Sequence, residues 1–164
     1  MKIYKAAIIG LGPSGLAVNK IIYGNSDDQI IAFENTDINK RDNYFGFWLN
    51  DWMQPYESLI QKKWSIWEIS NKNEKILHSD ETSPYCVISF KTWKNFCLNT
   101  KKNLKSINKK VIKYEAQKNY FKITTEDKNE YFAEKIYDSR PRKFRENDYL
   151  QHFFGINISA PDNT

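Results

Sequence analysis

The chain has 164 residues, enough for one ordinary domain with a real core, or for one domain and a fragment of a second. Its formal charge of +5 comes from 25 basic against 20 acidic residues. These are scattered, with no dense block beyond Lys101-Lys102 and Lys109-Lys110, so nucleic acid is not an expected partner. Cys86 and Cys97 make neither a metal motif nor a disulfide framework, and no metal site is expected. No apolar run reaches the ~20 residues that span a bilayer. The first strand is expected to begin almost at Met1, which leaves no room for a leader and predicts a cytoplasmic location.

Residues Lys2 to Ile9 read as a short apolar strand that runs into Gly10-Leu11-Gly12-Pro13-Ser14-Gly15. A helix is expected over Pro13 to Ile22, with Gly24-Asn25-Ser26 as its stop signal. A second strand, Gln29 to Phe33, ends on Glu34, which lies 24 positions after Gly10. A bare G-x-G-x-x-G is weak, but between a strand and a helix, with an acid about 20 residues on, it is the dinucleotide-binding fingerprint. Gly10 permits the tight turn, Gly12 lets a pyrophosphate approach the backbone, and Gly15 lets the helix pack on the strand. Pro13 suits the first helical turn. Ser14 adds a hydroxyl donor. Glu34 would accept from an adenosine ribose and repel a 2′-phosphate, so NADP is disfavoured there.

Asn35 to Asn43 reads as polar loop. Tyr44 to Ser70 holds Trp48, Trp52, Trp64 and Trp67, at spacings that suit a helix or a strand. This aromatic region, an insertion around 44–84, is either ordinary packing or a wall for a long apolar ligand. His78 falls in a polar, loop-like stretch. Tyr85 to Phe90 reads as a strand, and Thr92 is placed to cap a helix from Trp93 to about Leu104. Lys109 to Glu115, Tyr120 to Thr125, Glu130 to Ala133 and Lys135 to Tyr137 form a run of short strands, with Asp127-Lys128-Asn129 as a hairpin turn. Asp138 and Arg140, two apart, share a face of an extended chain. They are either a structural ion pair or groups near a bound cofactor. Tyr149 to Ser159 reads as another strand, with His152 in a structural role.

The expected fold is therefore α/β, a Rossmann-like three-layer nucleotide-binding domain with a β-meander over 1–143. Residues 144–164 would begin a substrate-binding β layer. The order of elements resembles the FAD-binding domain of glutathione-reductase-type flavoproteins. Asp138-Ser139-Arg140-Pro141 followed by Gln151-His152-Phe153-Phe154-Gly155 resembles the lycopene cyclase family more narrowly. Phe47-Trp48, the Trp64 region and Tyr85-x-Val87-Ile88 fall in that family's order.

The resemblance implies proton-initiated closure of the end rings of a linear carotenoid beside reduced FAD, with NAD(P)H as reductant. It places Trp48, Asp138 and Arg140 in the vicinity of flavin or substrate. It also allows peripheral association with the inner membrane face. That family is more than twice this length, and its catalytic acidic motif lies downstream, so no catalytic residue is assigned. Two other readings stand beside it. One is a flavin-dependent monooxygenase or other oxidoreductase, against which the Asp138-Ser139-Arg140 element speaks. The other is a non-enzymatic nucleotide-binding remnant or a subunit that pairs with a separately encoded C-terminal half.

Overall fold

A computed structural model describes residues 1–41, 43–99 and 103–141. The expected strand at Tyr149–Ser159, His152 and the expected second unit at 144–164 lie outside the described residues. In chain order the strands begin with β1 (Ile3–Tyr4), β2 (Ala6–Ile9), β3 (Ile30–Phe33), β4 (Tyr44–Trp48), β5 (Lys62–Trp64), β6 (Ile66–Ser70) and β7 (Lys75–Ser79). They continue with β8 (Tyr85–Ser89), β9 (Leu104–Ile107), β10 (Val111–Ala116), β11 (Phe121–Thr125), β12 (Glu130–Ala133) and β13 (Ile136–Asp138). Helix α1 (Pro13–Ala17) is prolonged by a π-helical turn over Val18–Ile22, and α2 spans Phe90–Leu98. Short 3-10 turns occupy Ile38–Lys40 and Asp51–Leu59.

Four strands form a parallel sheet in the order β13-β2-β3-β9. Strands β2 and β3 are continuous apolar runs, Ala-Ala-Ile-Ile and Ile-Ile-Ala-Phe, with every residue buried. Such runs are what a sheet covered on both faces requires. Alternate residues then serve two cores. Ala6, Ile8, Ile30 and Ala32 pack on Leu16, Tyr23, Trp93 and Cys97 of the helical layer. Ala7, Ile9, Ile31 and Phe33 pack on Val111, Ile123 and Ala133 of a second sheet. That sheet is the antiparallel meander β10-β11-β12, joined by β1 running parallel to β12. Helices, parallel sheet and meander make the three layers. No helix of the described residues is long and apolar enough to cross a membrane.

The expected single strand over Lys2–Ile9 is two strands. β1 pairs with the meander and β2 with the parallel sheet, and the chain bends at Lys5 as it changes sheets. The Lys5 amide bonds Gln29 O, and its ammonium meets Glu134 at 2.7 Å. The second helix also starts earlier than expected and ends sooner. Its cap is Ser89, whose hydroxyl accepts from the Thr92 amide at 3.1 Å. Leu104, expected near the helix end, instead opens β9, which is paired in parallel with β3. Because Ser89 satisfies an amide that α2 leaves without an intrahelical partner, Ser89→Ala should lower stability by about 1 kcal/mol. Urea unfolding followed by circular dichroism measures that shift.

The aromatic region consists of strands and one 3-10 segment. β4, β8 and β5 form an antiparallel sheet, and β6 and β7 a separate hairpin. Phe45 and Phe47 lean onto the core beside the helices, while Tyr44, Trp48 and Trp64 stay exposed. His78, expected in a loop, lies in β7 with its ring 4.7 Å from that of Trp67.

Candidate functional site

The turn after β2 is built on two backbone constraints. Gly10 has φ of 91°, a left-handed conformation that side chains resist. A Cβ on Gly15 would collide with the Gly10 carbonyl oxygen, so α1 closes directly onto the end of β2. Ser139, just past β13, locks the same corner. Its hydroxyl donates to Gly10 O at 2.9 Å, and its amide donates to Ile9 O at 2.9 Å. Gly12 differs, because a Cβ there would meet nothing within 4 Å. Pro13 opens the helix, and its carbonyl accepts from the Trp93 indole at 3.0 Å.

Glu34 sits beside this turn, 7% exposed. One carboxylate oxygen accepts from the Leu11 amide at 2.9 Å and pairs with Arg41 at 3.0 Å. The other accepts from the Asn35 and Thr36 amides and the Thr36 hydroxyl, at 3.0, 3.1 and 2.9 Å. Burial pushes this carboxyl upward, but the Leu11 amide, the Thr36 donors and the Arg41 charge outweigh it and hold it below its ordinary value. Asp138 has the same balance. Burial raises it, and Arg140, bidentate at 2.8 and 2.6 Å, brings it down.

The sign of the pH dependence follows. A carboxyl lowered in the folded state contributes stability that is fully present above the unfolded value of about 4. That contribution disappears as pH falls through the folded value. Glu34→Gln should therefore flatten the acid limb of a stability-against-pH curve from thermal melts. An unchanged limb would count against a lowered Glu34.

Two cavities flank the glycine turn. The polar one, about 260 Å³, is lined by Leu11, Glu34, Thr36, Asp37, Asn39, Ser106 and Asn108 among others. The second, about 440 Å³, is lined by Pro13, Ser14, Ala17, Phe45, Phe47, Trp48, Met53 and Trp93 among others. In the chain, Gly12 falls between Leu11, which borders the first, and Pro13, which borders the second. A smaller hollow of about 80 Å³ lies against Gly10 and Glu34, with Lys110 and Arg140 in its wall. Arg140 also donates to Val111 O at 2.9 Å, so the Asp138–Arg140 pair ties the turn after β13 to the meander.

The structure thus gathers Gly10, Gly12, Pro13, Ser14, Gly15 and Glu34 at one turn. It sets Trp48 on the apolar side and Asp138 and Arg140 behind. Sequence reading missed Arg41, Thr36, Trp93 and Ser139, each of which bonds directly to the turn or to Glu34. The Thr36 position, two residues beyond the strand-ending acid, was the signal available for one of them. Among the described residues no group of three His, Cys, Asp or Glu side chains could hold a metal ion.

No family model matches the chain, and no curated protein sequence matches it. Solved structures do. The p-nitrophenol 4-monooxygenase PnpA of Pseudomonas putida is similar at 12% identity and a TM-score of 0.66, over 83% of this chain and 40% of that one. CtdE in complex with FAD is similar at 16% identity and 0.55, over 84% and 38%. The 2,6-dihydroxypyridine-3-hydroxylase of Arthrobacter nicotinovorans is similar at 11% and 0.57, over 82% and 36%. The chain spans about two fifths of the length of these structures. It has the Rossmann-like FAD/NAD(P)-binding fold that they share. The Asp138-Ser139-Arg140 element does not separate its fold from that of the monooxygenases.

Proposed function

We propose that this chain is the FAD-binding portion of a flavin-dependent enzyme. The observation that carries the reading is the pair of unlike cavities on either side of Gly12. An adenosine suits the polar one with Glu34. A flat, largely apolar ring suits the aromatic one, and the pyrophosphate would cross the side-chain-free backbone of Gly12 between them. The residues fit this group. Arg41 bonds the Thr36 hydroxyl at 2.6 Å, so both keep a partner when a ribose hydroxyl takes their place on Glu34. FAD, when bound, supplies the electron-transfer chemistry, and the protein binds and orients it.

The similarity in fold to monooxygenases supports an oxidoreductase. The lycopene cyclase resemblance supports a finer reading. In it the aromatic cavity borders a carotenoid end group, NAD(P)H keeps the flavin reduced, and a separately encoded C-terminal half or a membrane surface completes the system. Calorimetry with FAD, NAD and NADP tests the common core of both. FAD should bind and NADP should not, because the Glu34 carboxylate faces its 2′-phosphate. Preference for NADP would overturn the reading. Titration of lycopene into the FAD-loaded chain separates the finer readings. A shift of polyene absorption supports the cyclase, and its absence supports the oxidoreductase.

A further inference from the structure

Trp48, the last residue of β4, borders the aromatic cavity. On the β4-β8-β5 sheet it stands across from Tyr85, and Tyr85 stands across from Trp64, so the three side chains share one face. Their ring centroids are 4.9 and 6.3 Å apart in that order. The Trp64 ring is tilted by 34° from that of Tyr85, whereas the Trp48 ring stands at 63° to it. Tyr85 and Trp64 thus make a floor, and Trp48 is an end wall that the floor shares with the cavity. Gly46 keeps the floor low. A Cβ there would collide with the Tyr85 hydroxyl, so the phenol ring lies over a position that only glycine leaves open.

Cross-strand aromatic pairs ordinarily bury one another. Here Trp48, Tyr85 and Trp64 stay 44, 36 and 45% exposed, all on one face. A contiguous exposed apolar patch of this kind marks a place where something binds. The rest of the face indicates what. Gly46 and Val87, the next cross-strand pair on it, offer no side-chain hydrogen-bonding group. Lys62, beside Val87, can lay its carbon stem along the face and keep its ammonium in water. None of the described residues that line the adjoining cavity carries a charge. A polyhydroxyl or ionic ligand finds few partners on such a surface, whereas an apolar chain leaves no polar group unpaired by lying on it.

We propose that Trp48, Tyr85 and Trp64 form an outer subsite for the tail of an elongated apolar substrate, whose reacting end stands at the mouth of the aromatic cavity. The inference rests on the reading that the flavin ring of FAD fills that cavity, so that a substrate meets it from outside. Trp48 then lies between flavin and substrate tail, and Trp64 touches only the tail. A short substrate reaches Trp48 alone, and a longer one gains contact with Tyr85 and Trp64.

The experiment uses the full chain saturated with FAD and reads two quantities. Calorimetry gives the affinities for 1-hexanol and 1-decanol, and light scattering gives the oligomeric state. The parent chain should bind 1-decanol at least about tenfold more tightly than 1-hexanol, because each further methylene is taken out of water on the floor. Trp64→Ala, a change at a half-exposed ring, should cut that ratio several-fold. Gly46→Ala, which lifts the Tyr85 ring, should do the same. If FAD does not bind the parent chain, the proposed function fails and the subsite with it. If FAD binds and Trp64→Ala keeps the full parent ratio, the subsite alone is overturned. A dimeric parent that Trp64→Ala turns into a monomer would give the floor to a second copy of the chain and would also overturn the subsite.

Discussion

Gly15→Ala should cost the fold about 3 kcal/mol or more, while Gly12→Val should leave folding intact and abolish dinucleotide binding. The two glycines belong to one motif, but they face different neighbours. At Gly15 an added Cβ runs into the Gly10 carbonyl oxygen and comes within 3.1 Å of the Ser139 hydroxyl. Both are held in place, the first by the end of β2 and the second by its bond to that same carbonyl. Neither can swing aside like the tip of a long side chain, so helix and strand must separate. Overpacking of this kind costs about 1–3 kcal/mol, and more when backbone is the obstacle.

Gly12 has φ −70° and ψ −176°, a conformation open to any residue, and empty space around its missing Cβ. A Cβ there meets nothing within 4 Å, so valine should be tolerated by the fold while it occupies the path assigned to the pyrophosphate. Urea unfolding should show the loss for Gly15→Ala alone, and calorimetry with FAD should show no binding by Gly12→Val. If Gly12→Val bound FAD like the parent chain, the crossing point would be misplaced.

Glu34→Ala should be the most destabilising change away from the glycines, at about 3 kcal/mol. Its carboxylate holds three backbone amides, a hydroxyl and the Arg41 guanidinium. Removing it leaves the Leu11 amide without a partner under the turn and a cation without its counter-ion. Breaking a buried ion pair costs about 3–5 kcal/mol, and an orphaned buried donor about 1–3 kcal/mol. Arg41 keeps access to water, with 30% of its side chain exposed, which brings the sum toward the low end. Pairing Glu34→Ala with Arg41→Ala in a double-mutant cycle should return a favourable coupling. Thermal melts that moved by less than Ser89→Ala moves them would mean that loop 35–41 holds itself without this carboxylate.

The glycine turn, β2, β3 and the meander were legible in the sequence for a physical reason. Each is dictated locally, by glycines at fixed spacing, by apolar runs buried on both faces, or by a turn at Lys128 whose φ is 64°. The errors fell where distant contacts decide. Lys5 splits one apolar run only because its two halves join different sheets. Leu104–Ile107 is a strand because β3 offers it an edge, although the helix was expected to run to about Leu104. Ser89 and Thr92 are both fair caps, and the hydrogen bond runs from the Thr92 amide to the Ser89 hydroxyl. The tryptophan spacings fitted helix and strand alike; cross-strand pairing with Tyr85 placed Trp48 and Trp64 in strands, pairing with His78 did so for Trp67, and Trp52 falls in the 3-10 segment. Arg41 reaches Glu34 from seven residues away across a 3-10 turn, which no motif announces.

In the proposed function one extended dinucleotide spans both cavities across Gly12. Calorimetry comparing FAD with its two halves, ADP and FMN, tests it directly. Each half fills one cavity, so each should bind weakly. FAD should bind far more tightly than either, because the second contact is made without a second loss of translational freedom. FAD binding no tighter than ADP would contradict the account, since it would leave the aromatic cavity with no part in holding the cofactor.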